Sequence, residues 1–404
     1  MKKTLLLLLL TLLTASAANA ATPGRDFTFT YEGQTLIYTV LDEDAKTCEP
    51  KQGRASTSTA VNKISGDLII PQFASDGKDN FTVVSISTHA FASCDNLTSV
   101  SIPESATEIK LGAFGDCSKL ESIIIPKSVS VIGQAAFSNC TNLSSVTIPK
   151  SVISIGACAF MRCSSLTSID LPESLESIDD GAFAYCDLSS ILIPKSVTMI
   201  GKYAFACNNL GSIEVDSENT DYISVDGILF SKDLSTLVAF PAGKEIEHYI
   251  IPESTTTIYS YAFYLCSKLN KVTLPKSITS IGSSAFSGCS NLTEVECLSE
   301  DPCTADEGIF SKSTYENATL YVPMGTVPFY QATTPWNKFL NISDEPLLSG
   351  IEDVVADGVD AIDFAMPYEV YNLQGALVGQ STDGLAAGVY IVRQGEKSAK
   401  VAIR

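Results

Sequence analysis

Three consecutive stretches decide how this chain is read: Leu120–Asn142, LESIIIPKSVSVIGQAAFSNCTN; Leu143–Ser165, LSSVTIPKSVISIGACAFMRCSS; and Leu166–Asp187, LTSIDLPESLESIDDGAFAYCD. They are one unit written three times, and it extends in both directions. Its leading leucine stands at Leu97, Leu120, Leu143, Leu166, Leu188, Leu210, Leu269 and Leu292, at spacings of 23, 23, 23, 22, 22, 59 and 23 residues. The phenylalanines Phe91, Phe114, Phe137, Phe160, Phe183, Phe205, Phe263 and Phe286 mark eight copies. Self-similarity at a fixed period of this length is the signature of a stacked repeat architecture.

The side chains say how one unit is built. Leu120, Ile123 and Ile125 face inward along a short strand whose Ser122 and Ile124 point out. Pro126 has no N–H for a ladder, so it marks the strand end. Val129 and Ile132 form a second inward pair, and Gly133 is expected to permit the following turn. Phe137, Cys140 and Leu143 are three apart, which predicts a short helical or 3₁₀ turn with one buried side. A single unit cannot enclose a core, whereas stacked units bury these columns against one another.

Composition narrows the function. The 404 residues include 26 Lys+Arg against 46 Asp+Glu, a formal charge of −20, which disfavours nucleic acid as a partner. With 45% hydrophobic and 18% charged residues the chain is not mainly disordered, and its 2 histidines exclude His-rich metal sites. Lys2 and Lys3, the apolar run Leu5–Leu13 and Ala18-Asn19-Ala20 read as a signal peptide over residues 1–20, cleaved after Ala20. No later stretch is long and apolar enough to span a bilayer.

The repeat L-x-x-[VI]-x-[IL]-P-x-S-[VIL]-x-x-I-G-x-x-A-F-x-x-C resembles the BspA-like (type 5) leucine-rich repeat of bacterial surface proteins, over roughly residues 25–342. The resemblance implies a curved right-handed solenoid with one short parallel strand per ~23-residue repeat. It also implies a cell-surface adhesin that binds host matrix or plasma proteins, or other cells. Residues 21–88, with FTFTYEG and LIYTVL, read as an N-terminal β cap with a degenerate repeat, and residues 89–342 as the solenoid with its C-terminal cap. The 59-residue gap resembles the family's longer variant repeats, so the solenoid is expected to continue through it. Residues 343–365 hold seven acidic residues and no Lys or Arg, an acidic linker. Residues 366–404, with YEVYNLQG, GVYIV and KVAIR, read as a small module of three β-strands. It is similar to the C-terminal sorting modules of Bacteroidetes-type secreted proteins, which implies export by a type IX-like route.

The search for chemistry returns little. Cys94, Cys117, Cys140, Cys163, Cys186, Cys207, Cys266 and Cys289 share one column. Parallel Cβ vectors in stacked coils sit too far apart for disulfides, so these read as small buried hydrophobes. Cys297 and Cys303 lie outside the column, and a bridge between them is left open. Ser128, Ser151 and Ser196 read as turn residues bonding nearby backbone. The acidic run Asp216–Asp221 lacks EF-hand spacing and reads as a solvated loop rather than a Ca²⁺ site. No nucleophile elbow, P-loop or zinc motif occurs, and neither a cofactor nor a metal is expected. The expectation is a secreted, monomeric, non-catalytic surface protein that takes a protein or glycan ligand on its strand face. The outward positions Ile124, Thr147, Asp170, Leu192, Glu214 and Thr273 are the candidate ligand face. Two rivals are an envelope spacer with no ligand and, from another class, a hydrolase with an unrecognised carboxylate site.

Overall fold

The 23-residue period becomes one coil. The computed structural model describes residues 24–51, 64–306, 308–344, 368–372, 377–379, 388–394 and 397–403. The expected signal peptide, and the linker beyond residue 344, lie outside the described residues. The chain divides after Glu345 into two compact units. The first is a β-solenoid of about 11 turns with parallel strands.

The coils place their strands on two separate faces. Ser65–Ile69, Asn96–Ser101, Ser122–Ile124 and Ser145–Thr147 form one parallel sheet. Ser85–Ile86, Glu108–Ile109, Val131–Ile132, Ser154–Ile155, Ser177–Ile178 and Met199–Ile200 form the other. Register follows the repeat residue for residue, Ser122 opposite Ser145 and Val131 opposite Ser154. Before the first full coil, Asp26–Tyr31, Gln34–Asp42 and Thr47–Lys51 make an antiparallel sheet in which Phe27 stacks on Tyr38 at 5.6 Å.

The third side of the coil is a turn stacked by its own backbone. The amides of Ala135, Phe137 and Asn139 each donate to the next coil, to the carbonyls of Ala157, Ala159 and Met161, all at 2.8 Å. The intervening amides of Ala136, Ser138 and Cys140 close tight turns onto Gly133, Ala135 and Phe137. The expected helical or 3₁₀ turn therefore takes a different form. Ala135 and Asn139 lie in the left-handed region, at φ of 52° and 59°, and this turns every second amide along the stacking axis. Gly133 is not in that region. A Cβ there would lie 2.6 Å from the carbonyl oxygen of Ile109, so this glycine serves close approach of coils rather than turn conformation.

The phenylalanine column is a stack of parallel rings. From Phe91 to Phe183 successive centroids are 5.3, 5.5, 5.4 and 5.6 Å apart, and Phe205 follows at 6.3 Å. A second stack runs Phe240, Phe263, Phe286, Phe310 at 5.0, 4.7 and 5.0 Å. The core is correspondingly in two clusters, which divide at the long variant repeat. There Tyr222–Val225 and Ile228–Ser231 form an antiparallel hairpin, and Thr236–Ala239 restarts the parallel sheet with Thr257–Ile258. Thr236–Ala239 runs directly into Phe240, without the three residues and Ala that separate the second strand from the Phe in coils such as Ile132–Phe137 and Ile155–Phe160.

After residue 293 the strands Thr319–Tyr321 and Asn341–Ser343 extend the sheet that begins with His248–Ile250. Tyr315, Trp336 and Phe339 pack edge-on against Phe310 at the end of the ring stack. In the second unit Glu369–Tyr371, Leu377–Gly379, Gly388–Gln394 and Lys397–Ile403 form a four-stranded antiparallel sheet. The strand Leu377–Gly379 is one more than the sequence reading counted.

Candidate functional site

The outward column of the first strands is the candidate surface, and register shows which of its residues meet. Ile124 pairs with Thr147, and Leu192 with Glu214. Ile124 is 71% and Leu192 58% exposed; Thr147, Asp170 and Glu214 are exposed as well. A groove of 350 Å³ runs beside Ile124, lined by Ser99, Ser101, Glu104, Ser122 and Pro126.

Two features depart from the expected uniform face. Residues 166–171, which carry Asp170, are not a regular strand, so the sheet is interrupted between Ser145–Thr147 and Ser190–Ile193. The inward residues on either side register this. Val146, Ile148, Ile169 and Leu171 are only half-buried, whereas Ile123, Ile125, Ile191 and Ile193 are buried. Asp170 therefore joins neither Ile124 and Thr147 nor Leu192 and Glu214 in a continuous ladder.

The second departure is a correction. Thr273 is not a free surface residue: it is 5% exposed. Its hydroxyl donates to Glu296 Oε2 at 2.8 Å, and His248 Nε2 lies 3.0 Å from the Thr273 hydroxyl oxygen. Lys271, itself buried, places Nζ 3.1 Å from Glu296 and 3.9 Å from Glu294. Burial, and then the neighbouring Lys271 charge, hold the His248 pKa below its ordinary value. Four charged or titratable side chains thus knit three neighbouring strands, which closes this half of the face. The sequence signal was the replacement of the outward serines by Lys271 and Glu294 after Ser212.

All the described cysteines are free thiols, Cys297 and Cys303 included, so the bridge left open is not formed. The acidic run Asp216–Asp221 is built around Asn219, which is buried. Its Nδ2 donates to the carbonyls of Pro194 and Val197, and its Oδ1 accepts from the amides of Asp221 and Tyr222. Among the described residues no three His, Cys, Asp or Glu side chains gather as a metal site, and no helix is long and apolar enough to cross a membrane.

Among solved structures, the chain is similar to a leucine-rich cell surface protein from Faecalibacterium prausnitzii, with 24% identity, TM-score 0.55, and 75% of this chain and 90% of that one covered. It is also similar to the pneumococcal vaccine antigen PcpA (21% identity, TM-score 0.49, 81% and 100% covered). A third is a leucine-rich repeat protein from Bacteroides ovatus (24% identity, TM-score 0.47, 77% and 87% covered). No curated protein matches. The model of the BspA type leucine-rich repeat region matches in six copies, over residues 79–150, 132–238 and 238–327. Repeat, register and match agree, and the chain belongs to the BspA-type leucine-rich repeat family.

Proposed function

We propose that this protein is exported with loss of residues 1–20, displayed at the cell surface as a monomer, and binds a protein or glycan there without catalysing a reaction. The ligand face is the outward first-strand column from Ile124 to Glu214. The observation that carries this reading is the contrast between columns. Inward positions repeat as buried Leu, Ile, Phe and Cys, while the outward positions change in size and charge from Ile124 through Thr147, Asp170 and Leu192 to Glu214. A broad face of short strands suits a macromolecule better than a small substrate.

The test is a screen of the chain from Ala21 against matrix proteins and glycans, repeated with Ile124, Asp170, Leu192 and Glu214 replaced together by Ser. The fold is expected to survive, because no inward column changes. Affinity for the ligand found should fall about tenfold or more, ~1.4 kcal/mol. Unaltered affinity would move the site to the variant repeat at 215–250 or to the turns.

A further inference from the structure

The variant repeat opens a second, different surface. Up to Met199–Ile200 each second strand has a parallel neighbour on its far side; the next coil instead sends out the hairpin Tyr222–Ser231. The Tyr222 side chain takes the place of the missing strand. Its hydroxyl accepts the Ile200 amide at 3.1 Å and donates to the Thr198 carbonyl at 3.4 Å. A side chain fills less space than a strand, and a cleft of 270 Å³ remains, lined by Thr198, Asp221, Tyr222, Ser231, Thr236 and Tyr259.

The lining selects a ligand class. Two tyrosines supply amphipathic ring surface beside the apolar Ile200 and Val238. Of the three hydroxyl side chains Thr236 can donate and accept, while Ser231, which donates to Asp233 at 2.7 Å, and Thr198, which donates to the Glu176 carbonyl at 3.5 Å, offer acceptor lone pairs. Asp221 is the single charged group in the lining; its carboxylate takes one hydrogen bond from Thr220 at 2.8 Å and keeps further lone pairs. The hydroxyls of Thr236 and Tyr259 take no hydrogen bond from the described residues. An anionic ligand would meet Asp221 with no cation in the lining to offset it. A purely apolar ligand would leave the hydroxyls buried and unpaired. The volume falls just below the roughly 300–1,000 Å³ of pockets for drug-sized ligands. We propose that this cleft, where the hairpin interrupts the second-strand sheet, binds a single neutral sugar residue, with Tyr222 and Tyr259 against its ring and Asp221, Ser231 and Thr236 bonding its hydroxyls. The site is separate from the first-strand face, so the two readings can fail independently.

The experiment is saturation-transfer NMR on the chain from Ala21 with the methyl glycosides of glucose, galactose, mannose, fucose and N-acetylglucosamine, followed by titration. At least one glycoside is expected to bind, and Tyr259→Ala should weaken it about tenfold. Tyr259 also packs against both core clusters. Thr236→Val, nearly isosteric, is therefore the second variant, and it should weaken binding severalfold with an unchanged melting transition. The Ile124→Ser/Leu192→Ser double variant should bind the glycoside as the parent does. The proposal is overturned if no glycoside binds, if Thr236→Val binds unchanged, if the double variant loses binding, or if methyl glucuronide binds more tightly than methyl glucoside.

Discussion

Seven of the eight column cysteines, all but Cys94, donate the thiol hydrogen to the carbonyl of the phenylalanine one coil earlier, among them Cys117 to Phe91 at 3.1 Å, Cys140 to Phe114 at 3.2 Å, Cys163 to Phe137 at 3.2 Å and Cys289 to Phe263 at 3.0 Å. The Phe137 and Phe263 carbonyls also accept an amide within their own turns, from Cys140 and Cys266. The thiol thus uses the second lone pair of a buried oxygen that a plain hydrophobe would leave idle. The serine after Pro-Lys works the same way between coils, Ser128 donating to Ala106 at 2.5 Å and Ser151 to Val129 at 2.7 Å. Its partner is nearby in space but 22 residues away in sequence, which the reading as a local turn residue did not anticipate. Two measurements follow. The eight column thiols are buried and should resist alkylation in the native protein, reacting only once it is denatured. Burial also pushes the thiols of Cys48 and Cys303 and the phenols of Tyr203 and Tyr315 up to about 12. The unfolded chain then releases these protons first and holds fewer of them, so stability falls as pH rises. The urea midpoint should be flat up to about pH 8.5, the unfolded thiol value, and decline from there toward pH 12. A midpoint that holds steady through pH 11 would contradict this assignment.

At the scale of the element, the turn and the strand carry different constraints. The glycine of the I-G-x-x-A-F motif is needed because the preceding coil passes against it: a Cβ at Gly156 would lie 2.7 Å from the Gln134 amide nitrogen and 2.9 Å from the Gly133 carbonyl carbon. Backbone held in the preceding coil cannot move aside as a flexible side chain would, so Gly156→Ala should cost ~1–3 kcal/mol, as overpacking does. The loss should be local. Coils couple to their nearest neighbours, and the ring stack ending at Phe205 is distinct from the one starting at Phe240. Hydrogen exchange of Gly156→Ala should accelerate in the coils around residues 133–160, while amides around Phe263 and Phe286 keep their protection. Uniform loss of protection along the solenoid would mean that the two stacks unfold as one. The strands were legible because inward Ile and Val alternate with outward Ser. The turn conformation was not, because no residue type announces a left-handed backbone at Ala135, Cys158 or Tyr185. What imposes it is the need to aim alternate amides at the next coil.

Across the whole molecule, the compact unit after Glu345 leads to a test of export. If residues 366–404 are a sorting module, their deletion should leave the solenoid with its parent melting transition but retained in the periplasm. Surface display of the truncated chain at the parent level would discard the sorting role. The sequence by itself determined the repeat period, the inward columns and their register, because stacking requires the same apolar side chains at the same place in every coil. It also showed which residues point outward along the first strands. Tertiary structure alone decided which of those stay accessible. Ile124 and Leu192 face open space, while Thr273 is closed in by His248 and Glu296, residues 25 and 23 positions away. It alone decided where the stack breaks, at the hairpin whose Tyr222 stands in for a strand. The physical reason is the same in both cases. Burial of an outward side chain, and the space left by a missing strand, depend on what neighbouring coils place alongside, and a pattern read one coil at a time does not contain it.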